Sequence, residues 1–391
     1  MEVFVKKFIV ISLAIIFVVS CGRTGVEEIG QGIRTESRIV DQSADVGYWG
    51  SLAIGSDDIP RISYYDLEHG DLRYAFLNRS TGEWEISTLD SVGDVGMYSS
   101  IAVDSLNNPH ISYYDSLNDQ LKYTYFNGTD WIRMVVYNSR GGEFSSITLD
   151  NNDLAHIVFY DTPGKDLYYI RQRADGSFST NDLIEIDDGT LVFGTGGNLS
   201  GKISINLTAD TQVPYITYYN ASFGALMIAH NDPTDPQAIQ QGVGTGWVVS
   251  IIDGKPTGNK SDVGKWNSLY LSAPDDIHVC YSDNTLGDLK YSHFDGTTWI
   301  SETVDRPGIV GESCSVITDH RGNVAIAYYD GSNNDLKFAV KSYGKWQIFV
   351  LDTIGIVGDF TSMSSFNRYN LGISYHDMGR KALKFISVLS F

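Results

Sequence analysis

Five aromatic residues stand at one recurring place along this chain: Trp49, Tyr98, Phe144, Trp266 and Phe360, each two residues after a glycine. Ile203 and Ser313 hold the corresponding places in two further copies of the same phrase. Aromatic faces gathered in this way offer stacking surfaces to a sugar ring or to a peptide side chain. The residue just before each place varies freely in charge: Tyr48, Met97, Glu143, Lys202, Lys265, Glu312 and Asp359. Such groups add hydrogen bonds and charge at the edge of an aromatic surface, and a carboxyl among them, Glu143 or Glu312, has the chemistry of a general acid or base. The expected ligand-binding set is therefore Trp49, Tyr98, Glu143, Phe144, Lys202, Lys265, Trp266, Glu312 and Phe360. No catalytic residue, cofactor or metal is assigned.

Two other recurrent sets carry chemical groups but have a simpler scaffold role. Asp66, Asp115, Asp161, Asp283, Asp330 and Asp377 each end a strand-like phrase and open a short turn, where a carboxylate accepts hydrogen bonds from its own turn amides. His110, His156 and His278 share one place in separate copies, which argues against a common metal centre. The chain has no DxDxDG calcium loop, GxSxG elbow, HExxH helix motif, paired CxxC or phosphate-binding loop.

What must position these residues is a repeat. The phrase HISYYD at His110 to Asp115 returns as ISYYD (62–66), IVFYD (157–161), ITYYN (216–220), VCYSD (279–283), IAYYD (326–330) and ISYHD (373–377), at steps of 46 to 63 residues. A full unit, Val95 to Tyr137, reads as four short runs of β-branched and aromatic residues separated by Asn, Gly, Asp and Pro turns. One such sheet cannot bury both faces, whereas seven stacked radially do. The expected fold is all-β: a seven-bladed β-propeller of four-stranded antiparallel blades. The last copy lacks a fourth strand, and Arg34 to Asp41 (RTESRIVD) has the pattern to supply it, closing the ring and leaving no open edge. Blade four carries extra residues at 187–200, 231–246 and 253–263. Two of these stretches emerge on the face where the innermost strands begin, so the site is expected there, near blades three to five.

The 391 residues carry a formal charge of −20, which repels nucleic acid and anionic lipid surfaces. At the N-terminus, Lys6 and Lys7 precede an apolar run from Phe8 to Val19 and then Ser20-Cys21-Gly22. This is the pattern of a secretory signal, too short for a lasting membrane span. Val18-Val19-Ser20-Cys21 resembles the bacterial lipobox. The resemblance implies a signal peptide over 1–20, lipidation of Cys21 with enough acyl chains for stable anchoring, and, with Gly at position 22, an outer-membrane address. Residues 21–33 then read as a flexible tether and 34–391 as the propeller. Cys280 and Cys314 fall at places held mostly by small residues in other copies, as buried thiols or as a disulfide between neighbouring blades.

The combination ISYYD, DLKY and a following Gly-x-x-Trp (128–131 and 296–299) resembles the repeats of secreted bacterial β-propellers over nearly everything after residue 33. In architecture this is distantly similar to sialidase-like and lectin propellers. Asp295 to Trp299 approaches the sialidase Asp-box but lacks its spacer, and the repeat-aligned mouth positions contain no arginine, so no catalytic residues carry over. Together these readings predict a lipid-anchored, extracytoplasmic binding module for a glycan or a protein, more in keeping with a binder than an enzyme. The alternatives are a polysaccharide hydrolase or lyase and a purely scaffolding envelope lipoprotein.

Overall fold

The computed structural model describes residues 27–28, 33–161, 166–187, 202–221, 223–232, 246–255, 261–306, 308–319, 321–366 and 370–389. The signal segment, Cys21 and most of the three blade-four insertions lie outside the described residues. No helix among those described is long and apolar enough to cross a membrane.

The described chain forms seven antiparallel sheets. Blade two shows the plan: Val95–Val103 innermost, then Pro109–Asp115, Gln120–Phe126 and Trp131–Tyr137 outermost. Its second strand is buried at every position, as a strand between two neighbouring blades must be, and this explains why its sequence is a continuous run and not an alternation. The buried tyrosines do not leave their hydroxyls stranded. Tyr113 Oη donates to Asp90, the last residue of the preceding blade, at 2.8 Å, and Lys122 Nζ reaches the same carboxylate at 2.7 Å. Tyr328 and Lys337 repeat the arrangement on Asp305 at 2.6 and 2.9 Å. Tyr218 does so on Asp187, Tyr281 on Asp253 and Tyr375 on Asp352. Blade three has Phe159 at this place and makes no such bond.

The ring closes with Arg34–Asp41, which pairs antiparallel to Ala382–Leu389 from Arg34 opposite Leu389 to Asp41 opposite Leu383. Asp41 then accepts from Tyr64 Oη at 2.7 Å, the same blade-to-blade clamp, here joining blade seven to blade one. Within the stretch expected to be a tether, Ile33 is buried among Leu371, Val388 and other residues of blade seven, and Glu27–Glu28 pair with Arg34 and Thr35. An isoleucine beside an uncovered apolar edge gains more by packing than by remaining in water.

A second circular contact lies on the innermost strands. Leu52 N–H donates to Ser362 Oγ (3.0 Å), Ile101 to Ser51 (3.2 Å), Ile147 to Ser100 (3.2 Å), Ile205 to Ser146 (3.4 Å), Leu269 to Ser204 (3.1 Å), Val316 to Ser268 (3.3 Å) and Met363 to Ser315 (3.0 Å). One serine per blade thus holds one amide of the next, around the whole ring.

Cys280 and Cys314 form a disulfide with Cα atoms 6.3 Å apart. It joins the second strand of blade five to the innermost strand of blade six. At the same junction elsewhere Ser63 Oγ meets Ser99 Oγ at 3.0 Å, Ser112 meets Ser145 at 2.9 Å, and Thr217 donates to Asn267 at 2.8 Å. The cysteines are one blade pair's covalent version of a contact that small polar residues make in others.

Candidate functional site at the channel mouth

Among the described residues, the innermost strand of every blade but the fourth begins with a bulge, and the bulge aims the site residues. In blade two the pairing steps from Val95 opposite Asp115 to Met97 opposite Tyr114 and then to Ser100 opposite Ser112. Gly96 enters at φ +109°, and a Cβ there would lie 2.7 Å from Leu72 Cα of the preceding blade, so only glycine permits this approach. Two residues on, Trp49, Tyr98, Phe144, Trp266, Ser313 and Phe360 all sit at φ between 48° and 54°. For non-glycine residues that left-handed backbone costs about 1–2 kcal/mol each. The bulge satisfies it in six blades at the same position, turning one side chain per blade toward the channel.

These side chains converge on a central cavity of about 100 Å³, open at the mouth and walled by Trp49, Tyr98, Phe144, Lys202, Trp266 and Phe360, with the serine belt below them. The rings touch one another around the mouth: Tyr98 and Phe144 at 4.2 Å between centroids, Trp49 and Tyr98 at 4.9 Å, Trp49 and Phe360 at 5.6 Å, Trp266 and Phe360 at 6.5 Å. Tilted contacts of this kind favour a fixed aromatic wall. Apart from buried Phe144, the aromatics are half-buried and keep part of their surface open.

Blade four corrects the sequence reading by one residue. Ser204 pairs with Thr217 and Ile205 with Ile216, as Ser51 pairs with Ser63 and Leu52 with Ile62. Lys202 therefore occupies the aromatic place, and Ile203, expected there, falls at the place of Gly50. The reason is the belt: Ser204 must present its hydroxyl to Leu269, which fixes the register whatever precedes it. Lys202 reaches across the channel from blade four to blade six, where its Nζ donates to the Cys314 carbonyl at 3.3 Å. Among the described residues no carboxylate pairs with it. Burial pushes its pKa down to about 8, since taking an ammonium out of water disfavours the charged form.

The other charged residues of the expected set do not wall the cavity. Glu143 lies opposite Tyr160, and its pKa is pushed up to about 7 by burial and then by Asp119 and Asp161. Lys265 is engaged by Asp262 at 2.9 Å and lies over the Tyr219 ring. Glu312 is raised by burial and by Asp359, itself raised by burial while it accepts from Ser313 Oγ and Phe360 N. These groups form a shoulder beside the mouth. The serine belt was not anticipated, although a serine two residues after each mouth position is present in all seven copies and could have been read once Lys202 was aligned.

Five of the six turn aspartates do what their positions implied: Asp66 accepts from Glu68 and His69 N, Asp115 from Asn118 N, Asp283 from Thr285 and Leu286 N, Asp330 from Ser332 and Asn333 N, and Asp377 from Arg380 N, while the turn after Asp161 lies outside the described residues. His110, His156 and His278 sit in separate blades, each against a tyrosine hydroxyl of the next strand (Tyr123, Tyr169 and Tyr291).

No protein-family profile matches this chain, and no curated protein does. Solved structures are similar in fold. One is a protein of unknown function from Dyadobacter fermentans, 12% identical, with a TM-score of 0.52 over 92% of this chain and 100% of that one. Another is the polysaccharide lyase Uly1, 11% identical, with a TM-score of 0.52 over 90% of this chain and 91% of that one. A third is an ulvan lyase bound to -[GlcA(1-4)Rha3S]-, 11% identical, with a TM-score of 0.54 over 88% of this chain and 96% of that one. At these identities the shared property is the propeller.

Proposed function

We propose that the channel mouth binds a saccharide carrying an isolated carboxylate, such as a uronic acid residue. The observation that carries this reading is the convergence of five aromatic side chains and one ammonium on a single cavity. Aromatic faces accept the apolar face of a sugar, and Lys202, which no carboxylate among the described residues neutralises, supplies a charge-assisted hydrogen bond. The formal charge of −20 works against dense polyanions at long range, so a short or sparsely charged chain suits the mouth better than a heavily sulfated one. That a similar fold has been solved with a glucuronate-containing saccharide supports the choice of ligand class. Titration calorimetry with uronate and neutral oligosaccharides of equal length tests the reading. The expected result is binding of the uronate series, weakened at least tenfold by Trp266→Ala. Equal binding by that variant, or capture of protein ligands alone, would refute it.

One observation favours a second reading, in which the mouth also performs catalysis. The Glu143 carboxyl, at about 7, is poised near neutrality as a general base must be. Appearance of new reducing ends or of unsaturated product on incubation with a uronate polymer, abolished in Glu143→Gln, would replace the binding function by an enzymatic one.

We also propose that the ring is displayed at the cell envelope, on an outer membrane, by lipid on Cys21. Lys6, Lys7, the apolar run 8–19 and Val18-Val19-Ser20-Cys21 support this. Labelling with a fatty-acid analogue, retained by the wild type and lost in Cys21→Ser together with membrane association, is the check.

A further inference from the structure

On the face of blade five opposite the mouth, three side chains approach one point. Asp276 and His278 are two residues apart on the second strand, Asp276–Asp283, and so lie on one face of it. His293, on the third strand Asp288–Phe294, is the direct cross-strand partner of His278. Asp276 Oδ1 stands 2.6 Å from His293 Nε2 and 3.3 Å from His278 Nε2. One ligand atom from each residue falls within 4.8 Å of the others. The imidazoles lie nearly parallel, 4.8 Å apart at an interplanar angle of 10°.

Part of this arrangement belongs to the repeat. His110 and His156 occupy the place of His278 in blades two and three, and each likewise meets a tyrosine hydroxyl through Nδ1. Their cross-strand partners are Tyr125 and Arg171, neither of which offers an imidazole. Among the described residues, blade five alone joins this histidine to a second one as well as to an aspartate at the strand's first residue. His110 and His156 also have an aspartate, Asp104 and Asp150, 3.6 Å from Nε2, so the scaffold accounts for His278, Tyr291 and an acidic neighbour, but it gives no reason for His293.

We propose that Asp276, His278 and His293 form a binding site for a divalent transition ion of the zinc class. Two imidazoles and a carboxylate are the donors such an ion prefers, and three protein ligands leave a position for water. The repeat supplies the outer contact as well. With its Nδ1 proton given to Tyr291 Oη, 2.6 Å away, His278 would turn an Nε2 lone pair toward Asp276, His293 and the Ser272 hydroxyl, which lies 3.1 Å from it. Access is open on one side: the His278 side chain is 6% exposed, while those of His293 and Asp276 are 31% and 42% exposed. Lys341 of blade six stands near His278 but is held in an ion pair by Glu302. The site lies on the face away from the mouth and does not depend on what the mouth binds.

The test uses the full chain stripped of metal with a chelator and titrated with zinc chloride. Wild type is expected to bind one ion per chain, and His293→Ala and Asp276→Asn to bind at least tenfold more weakly while melting as wild type does without metal. Tyr291→Phe, which touches no ion directly, is expected to weaken binding 10- to 100-fold. Cobalt(II) provides an independent readout: a visible absorption band of low-coordinate geometry in wild type, absent from His293→Ala. Zinc binding of equal strength in wild type and His293→Ala would overturn the site, as would the absence of saturable binding below millimolar zinc.

Discussion

Blades two and four are built on one template and differ in what they show to the channel. Both give a belt serine, Ser100 and Ser204, to the amide of the following blade at 3.2 and 3.1 Å. Both clamp a buried tyrosine, Tyr113 and Tyr218, to an aspartate of the preceding blade at 2.8 and 2.9 Å. Yet blade two enters through Gly96 and a left-handed Tyr98, whereas blade four presents Lys202. Contacts between blades are thus shared, and the mouth is private to each blade. The ring tolerates substitution at the mouth because its stability is held one tier lower and one strand further out.

If the shared contacts carry the fold, breaking ring closure should have the largest effect. Deletion of 34–41 removes a whole paired strand and the Asp41 acceptor, and should abolish the cooperative melting transition followed by circular dichroism. Deletion of 21–32 should move it by only a few degrees. Equal losses would show that closure lies elsewhere. Next comes the covalent variant of a shared contact. Cys280→Ser with Cys314→Ser opens a loop spanning a sequence separation of 34, and should lower stability by about 3–4 kcal/mol in denaturant melts.

The private contacts should move binding and leave stability nearly unchanged. Lys202→Met should weaken a uronate oligosaccharide roughly 10- to 100-fold, the range for one charge-assisted hydrogen bond, and a neutral one hardly at all. The sign of the pH effect follows from the same ammonium. Lys202 is charged below about 8 in the free protein, and an anionic ligand stabilises that form. Affinity should therefore be flat below pH 8 and fall above it, with proton uptake on binding in the falling range, and Lys202→Met should remove the slope. The smallest effect sharpens the comparison most. Ser100→Ala and Ser204→Ala should each cost about 1 kcal/mol, and a much smaller figure for Ser204 would show that blade four is not held as blade two is.

The architecture was legible because a strand–turn phrase recurring every 46 to 63 residues admits few ways of burying its apolar faces, and because RTESRIVD fits the gap left by the last copy. The mouth was legible in part. Trp49, Tyr98, Phe144, Trp266 and Phe360 follow glycine at fixed spacing, so their common place could be read directly. Lys202 was displaced by one position because Gly201 precedes Ile203 at the spacing of the other copies, while blade four has one residue fewer between that glycine and its belt serine, Ser204, which sets the register. Glu143, Lys265 and Glu312 stand one residue before the mouth place, and the bulge turns them aside. Ile33 was read as tether because one apolar residue among glycines and charges carries no periodic signal. The approach of His293 to Asp276 depends on cross-strand pairing between runs of different sequence and could not be seen from either run alone.

The serine belt has a direction. Every hydroxyl receives from the blade that follows it and none from the blade before, so the circuit runs one way round and counts its members. A chain with one blade fewer or more would have to redraw the curvature of all the others before its last amide met its first serine. Exchange of whole units between such rings should therefore succeed only like for like, one blade out and one blade in.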